Sequence, residues 1–453
     1  MRRLLSHRGV GGGSSVKDKP AEKYDVVVIG SGMGGLSAAA LLAHAGYRTL
    51  VIEKLPFLGG RSSTIEYRGF KITTGAVEWG EVIGEMIYKE VGAPFNIRYP
   101  EPQFYYYVGG KPYAMPDKGR IRAGLTLAAG KEEAEKIMGA IRRAFKWQAP
   151  SDSISLHDWL RQYTQNEKAL GVISSSFDTR IMSAGHFIRQ LSVLGPQRGG
   201  YATNGNVAAM EALAEVVRKN GDVWTRYQAQ RILVEGGRLN GMANGVIVRP
   251  RRGYSEIQVS SRVVISNAGP VATVKLAGQE NFDRGYLKEM RETIIPCAWL
   301  SIQFSSSRPL VAFPSYAQVI DGRRLNWICC PSNACPELAP NGKHLYEAGA
   351  FVPPHEPWDP KKELDLTLLD LKDNLPGFGE DAEILHVYYG IGHDWPWFHS
   401  WYGRTMSQKT SIENLYNVGD GVCPPGTNGL IGAALSAKLV ADDVKSHFKP
   451  EEN

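Results

Sequence analysis

The chain has 453 residues, of which 43% are hydrophobic and 22% charged, a composition typical of a globular protein with room for two domains. No run approaches eighteen apolar residues, which argues against a transmembrane helix. The formal net charge is +6, but residues 1–23 alone carry six basic residues against two acidic ones. The rest of the chain is therefore close to neutral, and its charge predicts no nucleic-acid-binding surface.

The first 23 residues, which open MRRLLSHRGVGGGSSVKDKP, are predicted to form a disordered basic leader. Their apolar residues are too few and too scattered to form a secretory h-region. A targeting or peripheral membrane role is the alternative to a plain extension. We expect a cytoplasmic protein, with peripheral membrane contact left open.

A glycine-rich turn follows the β-branched run YDVVVIG (24–30) and precedes a small-residue helix, LSAAALLAHAG. The turn reads G-x-G-x-x-G, and a second strand ends about twenty residues later at Glu53. Gly30 would make the tight turn, Gly32 would admit a pyrophosphate, and Gly35 would let helix and strand pack closely. Phosphates would meet the free N–H groups of the helix N-terminus, and Glu53 would accept hydrogen bonds from a ribose. The pattern predicts a dinucleotide site without distinguishing NAD from FAD.

The segment after Glu53, KLPFLGGRSSTIEYRGFKITTGA, contains Gly59, Gly60 and Arg61. With the first motif, it resembles the flavoenzyme superfamily of phytoene desaturases, carotenoid isomerases, monoamine oxidases and protoporphyrinogen oxidases. The resemblance implies FAD, with the GGR turn against its pyrophosphate and the arginine over it. The chain departs from the family pattern at Thr74, where an aspartate is usual.

Later segments extend this resemblance over most of the chain. GGYATNGNVAAMEALAEVVRKNG (199–221) is similar to the family's return to the FAD domain, and YQAQRILVEGGRLNGMANGVIV to the strand pair after it. SRVVISNAGP (261–270) and NLYNVGDG, near the C-terminus, are similar to its last two nucleotide-binding strands. The helix that begins near Leu430 would direct its positive end at the flavin.

The resemblance implies an α/β plus α+β fold: a Rossmann-like FAD-binding domain of the glutathione reductase type, interleaved with a mixed sheet and helical substrate domain. The predicted FAD-binding segments are 24–76, 200–270 and 405–447, and the substrate segments are 77–199 and 271–404. The residues implied to contact FAD are Gly30, Gly32, Met33, Gly34, Gly35, Glu53, Lys54, Gly60, Arg61, Ala229, Asn267, Gly419, Asp420, Gly429, Leu430 and Ile431.

Two aromatic segments are candidates for the substrate site. QFYYYVGGKPYAM (103–115) predicts a hairpin turning at two glycines, and GHDWPWFHSWYGRT (392–405) lies shortly before the last nucleotide strand. These aromatics would line the cavity, or alternatively fill the gap between domains or form a partner surface. The predicted lining residues are Tyr105, Tyr107, Trp395, Trp397 and Trp401, and the candidate bases are His393, Asp394, His399 and Tyr402. No metal site is predicted, because the resembling family needs none.

Five cysteines, at 297, 329, 330, 335 and 423, form no paired framework of the kind found in secreted scaffolds. Cys330 and Cys335 have the C-x4-C spacing of some flavin disulfide reductases, but those enzymes place the pair just after the first nucleotide motif. Buried, inert thiols are the prediction. A covalent flavin link at Cys423 is the less favoured alternative to a packed thiol.

The last glycine turn bears on the reaction. Amine oxidases of the resembling superfamily carry a tyrosine in this turn, whereas this chain has Leu430 and Ile431. We therefore favour a dehydrogenase or desaturase that moves hydride from an apolar molecule or isoprenoid to FAD. An FAD amine oxidase that releases peroxide, and a flavin protein that binds a partner without turnover, are the alternatives. The electron acceptor, oxygen or a quinone, and a homodimeric state stay open.

Overall fold

The computed structural model describes residues 23–174, 178–195, 197–238, 240–253, 255–352, 356–393 and 395–451. The predicted leader, apart from Lys23, and the candidate base Asp394 lie outside these ranges. The strands in them are β1 Lys23–Ile29, β2 Thr49–Glu53, β3 Thr64–Tyr67, β4 Phe70–Thr73, β5 Trp79–Gly80, β6 Ile97–Arg98, β7 Phe104–Val108, β8 Lys111–Ala114, β9 Gly199–Ala202, β10 Gly221–Thr225, β11 Tyr227–Glu235, β12 Met242–Pro250, β13 Ile257–Ser266, β14 Cys297–Ser306, β15 Tyr316–Val319, β16 Trp327–Cys329, β17 His344–Val352, β18 Glu383–Gly392 and β19 Leu415–Asn417.

The α-helices in the same ranges are α1 Met33–His44, α2 Glu81–Ile83, α3 Arg120–Ala129, α4 Lys131–Lys146, α5 Leu156–Arg161, α6 Glu167–Ser174, α7 Ala184–Leu194, α8 Asn206–Arg218, α9 Pro270–Ala277, α10 Arg284–Thr293, α11 Pro331–Ala334, α12 Pro360–Asn374, α13 Phe378–Asp381 and α14 Gly429–His447. A π-helical turn, Gly84–Tyr88, and three 3₁₀ turns complete them: Gln279–Asn281, Pro336–Leu338 and Asp420–Val422. Among these described helices, none is both long and apolar enough to cross a membrane.

The first sheet is the nucleotide-binding sheet expected from the sequence. Its parallel strands run in the order β10, β2, β1, β13 and β19, and the antiparallel pair β11–β12 continues from β13. The β-branched run in β1 is buried on both faces, because α1, α8 and α14 pack on one side and α9 and α10 on the other. This is the Rossmann-like layer arrangement, and its carboxyl strand ends carry the glycine turns.

Helices α9 and α10 lie in a different domain from the one that the sequence predicted for them. The prediction placed residues 271–404 in the substrate half, yet Val274, Tyr286 and Leu287 pack in the core of the first sheet. The apolar side chains of both helices cover the face of β13 that α1 leaves open. The segment that crosses to the second sheet therefore starts near β14.

The second sheet is mixed, with the strand order β18, β14, β17, β16, β15, β7 and β8. The predicted aromatic hairpin is present as β7 and β8, which pair antiparallel around Gly109 and Gly110. Helix α12 packs on one face, and helices α3 to α7 form a separate helical layer with its own core. This sheet and the first sheet face each other across the candidate site.

Asn267, just after β13, joins the two glycine-rich turns at opposite ends of the chain. Its Oδ1 accepts a hydrogen bond from the Gly35 N–H at 3.0 Å, and its Nδ2 donates to the Val418 carbonyl at 3.0 Å. A Cβ on Gly34 would come within 2.7 Å of the Gly419 nitrogen. The turns are thus in direct backbone contact, which only glycine permits at these positions.

Substitution of Gly35 by alanine should destabilise the fold, because the new Cβ would overlap the Gly30 carbonyl oxygen and meet Asn267 at 3.1 Å. We expect the free energy of unfolding, measured in urea, to fall by about 3 kcal/mol or more. Gly139→Ala in α4 is the matched control, since its Cβ would meet nothing nearer than 3.4 Å. That variant should be neutral or slightly more stable; equal stability of the two variants would contradict the close packing.

Candidate functional site

A cavity of about 670 Å³ lies between the two sheets. One end is lined by the first glycine turn, the end of β2 and the start of β11. The other end is lined by side chains from the second sheet, including Trp299, Tyr316, Trp327 and Phe351. The last glycine turn and the GGR turn also line the cavity. A volume of this size is typical of a small-molecule or cofactor site.

Glu53 is held firmly at the nucleotide end of the cavity. Its Oε2 accepts hydrogen bonds from the Ser31 N–H at 2.9 Å and from the Ser31 hydroxyl at 2.6 Å. Its Oε1 accepts one from the Leu55 N–H at 2.7 Å. These contacts fix the carboxylate at the edge of the first turn, where a ribose diol would reach it.

Two helix N-termini face the cavity, and both lack acidic residues in the first turn. Helix α1 starts at Met33, next to Gly34, and α14 starts at Gly429, followed by Leu430 and Ile431. The first N–H groups of a helix have no partner within it, and its N-terminus carries partial positive charge. These two ends suit an anionic or electron-accepting ligand.

An ion pair connects the GGR turn to the last glycine turn. Arg61 donates to Asp420 with both terminal nitrogens, at 2.9 and 2.6 Å, and its guanidinium lies 4.7 Å from the ring centroid of Phe398. His399 adds its backbone N–H, 3.0 Å from Asp420, and its Nδ1 lies 2.8 Å from the same carboxylate. Burial alone would raise the pKa of Asp420, but the Arg61 charge, with His399 beside the carboxylate, holds it well below its ordinary value of 3.8.

The residues present fit a dinucleotide. A Cβ on Gly60 would meet nothing nearer than 3.8 Å, and one on Gly429 would meet only the Tyr402 hydroxyl, also at 3.8 Å. Both side-chain positions point into open cavity rather than into protein. Glycine at these points keeps the space that the flat or charged parts of a cofactor would occupy.

Comparison with known proteins agrees with this geometry. The NAD(P)-binding Rossmann-like domain family matches residues 28–77. The chain is 25% identical over 438 residues to an uncharacterized protein of Methanocaldococcus jannaschii, covering 92% of this chain and 99% of that one. It is 27% identical over 296 residues to human all-trans-retinol 13,14-reductase, covering 55% of this chain and 48% of the reductase. The second match thus spans about half of each protein.

Solved structures extend the likeness to the whole fold. A crystal structure of an oxidoreductase from Methanosarcina mazei has a TM-score of 0.80 and 27% identity, covering 93% of this chain and all of that one. Putrescine oxidase has a TM-score of 0.68 at 16% identity, covering 94% and 99%, a likeness of fold alone. In nucleotide motif and fold the chain is similar to Rossmann oxidoreductases of the amine oxidase and phytoene desaturase-like superfamily. The fold expected from the sequence is confirmed.

The structure brings the predicted cofactor residues together with one exception. Fifteen of the sixteen line the cavity: Gly30, Gly32, Met33, Gly34, Glu53, Lys54, Gly60, Arg61, Ala229, Asn267, Gly419, Asp420, Gly429, Leu430 and Ile431. Gly35 lies behind them, where α1 crosses β1. Arg61 and Asp420 also bind each other, a contact that the sequence did not predict.

Only some of the candidate bases line the cavity. His399 and Tyr402 line the cavity, whereas the half-buried His393 does not. Burial raises the pKa of the Tyr402 hydroxyl above its ordinary value, so this group stays neutral at physiological pH. The described residues contain no group of three or more His, Cys, Asp or Glu arranged to hold a metal ion.

Of the predicted lining residues, Trp395 reaches the cavity and the others do not. Trp397 covers the glycines of β18, and Trp401 is buried against Phe351 at 5.7 Å between ring centroids. Tyr105 and Tyr107 pack on Phe313, on the face of β7 opposite to the cavity. Alternate side chains of a strand point to opposite faces, and it is the neighbouring Phe104 that lines the cavity.

Several lining residues were missed by the sequence prediction. Trp299, Tyr316, Trp327 and Phe351 come from four strands of the second sheet. Each strand is buried on both faces, so no alternation of polar and apolar residues marks the cavity side. Phe398 lies inside the predicted aromatic segment and could have been included.

The cysteines are buried, in agreement with the prediction. Burial raises the pKa of each of the thiols of Cys297, Cys329 and Cys423 well above its ordinary value, so these groups are unreactive thiols. Cys423 packs against Gly432 of α14 and does not line the cavity.

Removal of the Arg61 charge should destabilise the protein strongly. Arg61→Gln leaves the Asp420 carboxylate, only 6% exposed, without its main counter-charge. We expect the free energy of unfolding in urea to fall by about 3–5 kcal/mol. Arg68→Gln, which breaks an ion pair with Glu383 on the exposed surface, is the control and should cost less than about 1 kcal/mol. Similar losses in the two variants would argue against a buried ion pair.

Proposed function

We propose that the protein is an FAD-dependent oxidoreductase acting on CH–CH groups, which converts an apolar small molecule or isoprenoid to an alkene. The observation that carries the proposal is the continuity of the cavity from the dinucleotide turns to a wall of aromatic side chains. Bound FAD would supply the hydride acceptor, N5 of the flavin ring. Its electron acceptor in turn would be oxygen or a quinone.

The chain's own residues would bind and orient both ligands. Glu53 would accept hydrogen bonds from the ribose at one end, and the α14 N-terminus would stabilise negative charge on the reduced ring. Trp299, Trp327 and Phe351 would hold the substrate and exclude water from the reacting bond. His399, bound to the Asp420 carboxylate, would be the group within reach for proton transfer.

The likeness to retinol reductase over half of each protein supports the CH–CH class. The aliphatic pair Leu430 and Ile431 lines the cavity where an amine oxidase would present an aromatic ring. Amine oxidation is the second candidate, favoured by the overall fold shared with putrescine oxidase. The two candidates differ in the substrate that reduces the flavin.

The protein as purified should show flavin absorption bands, either directly or after addition of FAD. Anaerobic mixing with polyenes or with the saturated precursors of enones should bleach these bands, since hydride transfer reduces the flavin. Amines should leave them unchanged and should release no peroxide in air. Failure to bind FAD would refute the proposal, and bleaching by amines alone would establish the second candidate.

Glu53→Gln should weaken FAD binding by about tenfold, because a neutral amide replaces a charged acceptor of ribose hydrogen bonds. Isothermal titration of the flavin-free protein with FAD measures the change. Glu66→Gln, on an exposed position of β3, is the control and should bind FAD as the wild type does. Unchanged affinity in both variants would remove Glu53 from the cofactor site.

A further inference from the structure

Two charged side chains line the cavity among aromatic residues of its wall. Glu78 precedes β5, and Arg120 is the first residue of α3. Neither belongs to a segment that the sequence indicated as functional. Around them the wall is aromatic, with Phe104 and Tyr316 as neighbours.

Arg120 carries a charge that the described part of the protein does not neutralise by a direct ion pair. Its guanidinium stacks over the ring of Phe104, 5.0 Å from the centroid, and no carboxylate of a described residue lies within 4.0 Å. Arg122, two residues later on the same helix, pairs instead with Glu135 on the surface at 3.1 Å. The half-buried Arg120 is therefore available to an anionic group in the cavity.

Glu78 can act as a neutral hydrogen-bond donor beside the charge of Arg120. Its Oε1 is shielded from solvent and has no hydrogen-bond partner. Burial raises the pKa of Glu78 to about 8, with Arg120 acting in the opposite direction. At pH 7 the carboxyl group is therefore mostly protonated and can donate its O–H.

The other titratable groups that interact with Glu78 stay neutral over the same range. These are Tyr201 on β9, Tyr316 on β15 and Cys329 on β16, and burial raises the pKa of each well above its ordinary value. Arg198, which also lines the cavity, pairs with Glu101 at 3.2 Å. Glu347 on β17 interacts with Tyr316 and Cys329, and burial raises its pKa to about 7, so it is mostly ionised before the pH reaches 8. Glu78 is therefore the group whose ionisation changes the charge of this end above about pH 8.

We propose that this end of the cavity binds the carboxylate of an apolar organic acid, with Arg120 as the charged partner and Glu78 as a neutral donor. The inference rests on the proposed function and names its substrate class. An ammonium group would meet the Arg120 charge and be repelled, and an alcohol would leave that charge without a partner. A carboxylate uses both side chains.

Binding of three ten-carbon probes, decanoate, decanol and decylamine, tests the proposal. They share one chain and differ in the head group. Each is titrated into the protein as purified, and binding is followed by the flavin absorption spectrum and by fluorescence of the cavity tryptophans. At pH 7 decanoate should bind at least about tenfold more tightly than the other two. Preference for decylamine, or equal binding of all three, would overturn the inference.

Variants identify the residues responsible. Arg120→Gln should weaken decanoate binding by about tenfold and leave decanol binding unchanged. Arg120→Lys keeps the charge and should keep most of the affinity. The control Arg122→Gln should bind as the wild type does, because its side chain is outside the cavity wall. Equal affinity of Arg120→Gln and Arg122→Gln for decanoate would overturn the inference.

The pH profile separates Glu78 from a merely structural role. Decanoate affinity should fall as the pH rises above about 8, because ionised Glu78 repels the carboxylate. Glu78→Gln keeps a neutral donor, so its affinity at pH 7 should match the wild type and the alkaline loss should disappear. An alkaline loss that persists in Glu78→Gln would contradict the assignment. Flavin binding without carboxylate preference would refute this inference alone, whereas decanoate binding by a protein that cannot hold FAD would refute the proposed function.

Discussion

The hydrogen bonds of Asn267 are the constraint on which the rest of the site depends. This side chain binds the first glycine turn on one side and the last on the other. Because the two turns are in contact through glycine backbone, the N-termini of the helices that follow them, α1 and α14, both lie at the cavity. Asn267, together with the apolar packing of α1 and α14 in one core, therefore holds the two positive helix ends at the cavity.

The ion pair between Arg61 and Asp420 adds a second connection between the same parts of the chain. Its charges are buried, so it contributes only while both partners are present. Phe398 and His399 complete its surroundings. Phe398 also contacts Trp299 of the second sheet, at 4.8 Å between ring centroids, so adjacent residues connect the ion pair to the aromatic wall of the cavity.

The nucleotide half of the site could be predicted well from the sequence, because glycine positions and strand–turn–helix order follow from backbone geometry. Gly34 is required because its backbone lies against that of Gly419, and Gly60 is an example of a glycine whose side-chain position is open cavity. The substrate half could be predicted less well. Whether Phe104 or Tyr105 faces the cavity depends on the pairing of β7 with β15, some 200 residues away in sequence.

Charged residues at the aromatic end were beyond local sequence analysis for the same reason. Glu78 and Arg120 lie in different segments with no motif, and only the tertiary packing places them in one cavity. The pairing of Arg61 with Asp420 was likewise not predicted, because the two residues lie 359 positions apart in different motifs.

The order of the first sheet has a consequence for biosynthesis. Strand β1 near the N-terminus pairs with β13, and β13 pairs with β19, while Arg61 meets its partner 359 residues further along the chain. Contacts between residues this distant in sequence form late and slowly during folding. A nascent chain that has not yet reached β19 and the last glycine turn therefore lacks part of the cavity wall, since Gly419, Asp420 and Gly429 line it.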